Sequence, residues 1–163
     1  MTYAVHGLPR TEFAPLFALD DDELARRGAR RVTASADRGF PCRISLEDAR
    51  AGERLILLHH TSHDVATPYR SAYAIFVREA AAEAAPFVDR VPPVFAGRPI
   101  ALRGFDAAGM LTAARLAPPD EADAAIRDLF ADPRIAYIHA HNAAHGCFAA
   151  RVERHGESQG ALA

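Results

Sequence analysis

The sequence predicts an α+β fold, mainly an antiparallel sheet of hairpins with one principal helix packed on one face and a short N-terminal helix, and three observations predict it. Compact apolar runs at Arg54 to His60 and Tyr73 to Glu79 are rich in Ile, Leu, Val and Phe and bounded by turn residues, as buried strands are. Two later pairs of runs, Ile100 to Phe105 with Met110 to Ala117 and Ile135 to Asn142 with Cys147 to Arg154, are joined by connections of hairpin length. Between those pairs stands one convincing amphipathic stretch, Asp120 to Ala131. Consecutive hairpins favour an antiparallel sheet over repeated βαβ units.

Taken in order, Tyr3 to Leu8 reads as a first strand. The acidic run Asp20-Asp21-Asp22-Glu23 then opens a short helix that Gly28 can close, because negative side chains at a helix N-terminus meet unpaired N–H groups and the positive end of the dipole. Arg30 to Ala34 follows as a strand, Gly39-Phe40-Pro41-Cys42 as a turn, and Ser45 with Asp48 as a capped single helical turn ended by Gly52. His59 to Arg70 reads as a polar loop between the two buried strands. Pro86, Pro92, Pro93 and Pro99 keep the next stretch irregular, since proline lacks the N–H that a central strand or helix interior uses. In the late helix, Ala122, Ala125, Ile126, Leu129 and Phe130 recur at helical spacing and form one apolar stripe, and Asp132-Pro133 stops it.

Composition bounds the function. The 163 residues are 50% apolar and 25% charged with a formal net charge of -2, which suits a single α+β domain over residues 1–155 and a flexible C-terminal tail over 156–163. Arginines scattered between acids make no basic face, so nucleic acid is not the expected partner. The N-terminus lacks a basic segment followed by an apolar one, and no apolar run approaches the roughly 18 residues that cross a bilayer, so a cytoplasmic protein without a membrane partner is expected. In that compartment Cys42 and Cys147 are expected as thiols. All 19 basic residues are arginine. The absence of lysine excludes a pyridoxal Schiff base, a lysine nucleophile and a P-loop, and it points to a GC-rich bacterial genome.

The candidate chemistry lies in two clusters of histidines. His59, His60 and His63 stand in the expected loop, and His139, His141 and His145 around the last hairpin. Side chains alternate along a strand, so His139 and His141 share a face and can present two imidazoles to one zinc ion, with His63 as a third ligand. The blander reading makes Tyr137, His139 and His141 a packed, hydrogen-bonded stripe. A four-residue loop at 143–146 would set Asn142 opposite Cys147 and place His141, His139 and Tyr137 opposite Phe148, Ala150 and Val152. Cys147 is either a small buried apolar group or a thiol activated by an imidazole and oriented by Asn142. In the loop before the second buried strand, Tyr69 offers a phenol, and Arg70 can clamp a carboxylate or phosphate bidentately or pair with Asp64. No cofactor is established by any motif.

Phe40-Pro41-Cys42-Arg43, the segment Leu55 to Glu79 with Pro68-Tyr69-Arg70 and Ile75-Phe76-Val77-Arg78-Glu79, and Gly146-Cys147-Phe148 together resemble the bacterial family labelled domain of unknown function 1203 (DUF1203). The resemblance runs from about Phe13 to Arg154 and implies a small stand-alone bacterial protein without an established reaction. It also implies His, any residue, Arg, Asn before the final cysteine; His139 and Asn142 match, and His141 stands where arginine is usual.

The function expected from these residues is binding of a small, anionic ligand in a His/Arg-lined cleft. His63 and His139 would be proton carriers in any catalysis, with Tyr69, Arg70, Asn142 and Cys147 as ligand contacts. Whether the chain is an enzyme stays open. The alternative, from a different class, is a noncatalytic interaction or homodimerisation module.

Overall fold

The structure, a computed structural model, describes residues 1–156, so the expected C-terminal tail over 156–163 lies, beyond its first residue, outside the described residues. It is an α+β arrangement of two antiparallel sheets with three α-helices. The strands are β1 (Thr2–His6), β2 (Arg30–Thr33), β3 (Arg54–His63), β4 (Ser71–Arg78), β5 (Phe87–Val88), β6 (Ile100–Phe105), β7 (Leu111–Ala117), β8 (Tyr137–Asn142) and β9 (Phe148–His155). The helices are α1 (Arg10–Phe17), α2 (Asp21–Arg26) and α3 (Ala122–Phe130). Six strands form one sheet in the order β5-β1-β9-β8-β6-β7, and three form a second in the order β2-β3-β4.

Alternation along β8 explains why the larger sheet has two unlike faces. Ile138 and Ala140 join Tyr3, Val5, Leu102 and Val152 in a core cluster with Ala122, Ile126, Leu129 and Phe130 of α3. The opposite set, Tyr137, His139 and His141, turns toward the smaller sheet, where Phe148 packs with Ile56 and Ile75. A stripe of imidazoles therefore lies beneath the smaller sheet, with His139 and His141 almost fully buried.

Several expectations change. Helix α1 was not read from the sequence, because Pro15 inside it masks the periodicity. Helix α2 starts as expected: Asp20 accepts from the Glu23 N–H at 2.8 Å and the Glu23 carboxylate accepts from the Asp20 N–H at 3.0 Å, a capping box. Residues 45–48 are not a helical turn. The Leu46 N–H donates to Cys42 O and the Cys42 N–H to Glu47 O, with Leu46 at φ 56°, while Asp48 pairs with Arg98. The histidines of the expected loop belong to β3, which continues through a bulge to His63 because its pairing with β4 persists to Ser71. The last hairpin also carries a bulge. Asn142 donates its N–H to Cys147 O and His141 faces Phe148 as expected, but Ala149 is extra, so His139 faces Arg151 rather than Ala150, and Tyr137 faces Glu153 rather than Val152.

Among the described residues, no helix is long and apolar enough to cross a membrane.

Candidate functional site

Two polar regions flank β8. Toward its start, His63 of β3 meets the stripe of the larger sheet: its ring centroid lies 4.9 Å from that of His139 and 4.1 Å from that of Phe105. Both ring nitrogens of His63 are engaged, Nδ1 with Tyr69 O at 2.9 Å and Nε2 with the Tyr137 hydroxyl at 2.8 Å. A carbonyl oxygen only accepts, so Nδ1 carries the proton and, in the neutral ring, Nε2 accepts the Tyr137 hydroxyl. Burial pushes the Tyr137 phenol above its ordinary value, so it stays a donor.

His139 sits between two arginines on the same face, with Arg103 opposite it on β6 and Arg151 opposite it on β9. Burial, with His63, Arg151, His141 and Arg103 adding in the same direction, pushes it down to about 3. Its Nδ1 is buried with no hydrogen-bond partner among the described residues, and Arg151 Nη1 lies 3.5 Å from Nε2 while its guanidinium covers the Tyr137 ring at 4.0 Å. Burial likewise holds His141 down to about 4, against the opposing pull of the Gly146 carbonyl 3.0 Å from Nδ1. These imidazoles are packed as neutral rings among Phe105 and Phe148. Neither nitrogen of His63 has a lone pair left for a metal, and among the described residues no group of three or more His, Cys, Asp or Glu side chains is arranged to hold one.

At the other end of β8 a pocket of about 630 Å³ opens between the sheets. Leu57, Ile75, Phe76 and Pro99 contribute to its apolar walls, and Arg43, Arg98, Asn142, His145 and Cys147 to its polar ones. Arg43 is 1% exposed, and its guanidinium donates to three acceptors: Nε to Phe148 O, Nη1 to Pro41 O at 2.6 Å and Nη2 to Cys147 Sγ at 3.1 Å. The Asn142 side-chain amide donates to the same sulfur at 3.6 Å. Among the described residues no carboxylate pairs with Arg43. The nearby Arg98 is already satisfied by two bonds to Asp48, at 2.7 and 2.9 Å. Burial pushes the Arg43 guanidinium below its ordinary value while Cys147 opposes that, but a guanidinium stays charged in proteins, so Arg43 is a buried cation without a carboxylate partner among the described residues.

Local sequence explains the placement. Leu8 donates its N–H to Arg43 O at 2.7 Å and Arg43 its N–H to Phe76 O at 3.0 Å, which clamps the Pro41-Cys42-Arg43 segment between the end of β1 and β4. The turn after β8 closes with Gly146 at φ 78° donating to Asn142 O at 2.7 Å, and this returns Cys147 beside Asn142.

The structure thus joins His63 to His139, and Asn142 to Cys147, but in two different regions. Tyr69 is 38% exposed with its ring 6.4 Å from Phe105, and Arg70 lies at the surface with Nε donating to Asp64 at 2.9 Å. Cys42 and Cys147 are free thiols, the first fully buried and the second partly exposed. Arg43 was missed as a functional residue. Its signal was an arginine inside the otherwise apolar segment Phe40 to Ile44, but nothing local tells a buried arginine from a solvated one.

A family model described as "Protein of unknown function (DUF1203)" matches residues 39–154. No curated protein and no solved structure matches the chain.

Proposed function

The chain belongs to the DUF1203 family, and we propose that it binds a small organic carboxylate in the pocket between Arg43, Asn142 and Cys147. The carrying observation is the buried Arg43 cation that lines the pocket and has no carboxylate partner among the described residues. A guanidinium has five N–H groups, and with three engaged, two remain to meet a carboxylate. Removing such a charge from water is costly unless an anion arrives, and a ligand anion supplies it. Leu57, Ile75, Phe76 and Pro99 suit an apolar body on the same molecule, and the volume falls within the usual range for small-molecule sites, roughly 300–1,000 Å³. Arg43 is a better anion anchor than Arg70, which is exposed and already paired with Asp64.

Isothermal titration of the wild type with benzoate and with benzamide, its neutral isostere, tests this reading. Benzoate should bind at least tenfold more tightly, and Arg43→Met should abolish the difference. Equal affinities for the two compounds in the wild type would reject the reading.

A further inference from the structure

We propose that Cys147 is a nucleophile directed at an electrophilic carbon of the carboxylate ligand held by Arg43, an inference that rests on the pocket reading above. Three observations meet at its sulfur. Cys147 lines the pocket, its Sγ receives an N–H from the guanidinium at 3.1 Å, and Sγ receives a second from the Asn142 amide at 3.6 Å. Donors converging on sulfur, one of them cationic, stabilise negative charge there, and a partly exposed cysteine beside a cation is the setting in which thiols react. Cys42 shows the contrast: it is fully buried, and its sulfur receives the backbone N–H groups of Ile44 at 3.4 Å and Arg78 at 3.3 Å.

Arg43 has the capacity for both tasks, because one Nη2 N–H holds the sulfur and two others are left for the carboxylate. The ligand's electrophilic carbon would then be delivered next to Sγ, the proximity that makes an attack effectively intramolecular. The step balances as a displacement. The sulfur lone pair forms the S–C bond, the bond from carbon to its leaving group breaks, and the leaving group departs with the electron pair. The thiol proton passes to solvent.

The test is alkylation at pH 6.5 followed by peptide mass spectrometry, with iodoacetamide and iodoacetate as probes. In each case an S–CH2 bond forms and iodide leaves. Cys147 in the folded wild type should react with iodoacetamide at least tenfold faster than Cys147 in the urea-unfolded chain, while Cys42 is protected. Asn142→Ala and Arg43→Met should each slow Cys147, and the wild-type comparison stands even if Arg43→Met does not fold. A folded rate no faster than the unfolded one overturns the nucleophile. Iodoacetate, normalised to the unfolded chain, should be favoured over iodoacetamide at Cys147. A fast Cys147 without that preference contradicts the carboxylate reading of the pocket and leaves the reactive thiol standing, so the two failures are distinguishable.

Discussion

Lowering the pH from 7.5 to 5.0 is expected to destabilise the fold by about 4 kcal/mol through His139 and His141. Each has an ordinary value of 6.5 in the unfolded chain, and burial holds them at about 3 and about 4 in the native state. Because the native value is depressed, the unfolded chain binds more protons, and stability rises with pH. The contribution is therefore fully present above pH 6.5 and is lost as pH falls from there toward 4 and then 3. At pH 5.0 the unfolded rings are protonated and the native rings remain neutral, so 1.5 units at about 1.36 kcal/mol each amounts to about 2 kcal/mol per histidine. His60, also held down by burial against Phe13, acts in the same direction. Set against a typical total of about 5–15 kcal/mol, such a loss is easily measured. Urea unfolding followed by far-ultraviolet circular dichroism at the two pH values gives the wild-type difference. In His139→Phe, whose new ring would sit between Phe105 and Phe148, that difference should shrink by about 2 kcal/mol. A wild type equally stable at both pH values, or a variant that keeps the full difference, would refute the assignment of these rings as neutral packed groups.

Two substitutions probe the frame around the pocket and the helix on the far face. A Cβ at Gly7 would collide with the Ile44 carbonyl oxygen, so Gly7→Ala should displace the Arg43 segment, lower stability by about 1–3 kcal/mol in urea unfolding and weaken benzoate binding. Tyr3 is fully buried and its hydroxyl donates to Asp123 of α3, so Tyr3→Phe should cost about 1–2 kcal/mol in the same assay without changing benzoate affinity.

Strand periodicity made most of the fold legible, because alternation and hairpin spacing are local properties. The runs around Leu55, Ile75, Leu102 and Ile138 all became strands, and the apolar stripe of α3 became its buried face. What the sequence hid depends on contacts distant along the chain. The split into two sheets follows from strand partners, which no single run encodes. Ala149 looks like any strand residue, and only its partner strand reveals it as a bulge that brings Arg151 opposite His139. His63 meets His139 and Asn142 meets Cys147, but in two regions rather than in the one His/Arg-lined cleft expected. The place of Arg43 was hidden, since its partners Phe148 and Cys147 lie more than a hundred residues away.

The most direct test of the account is an assigned ¹H–¹⁵N correlation spectrum of the wild type titrated with benzoate. Binding at the Arg43 pocket should shift the amides of residues 42–43, 73–76 and 142–147 saturably, and leave those of Tyr69 and Arg70 in place. Shifts confined to the His63 to Arg70 region, or no saturable shift, would contradict it.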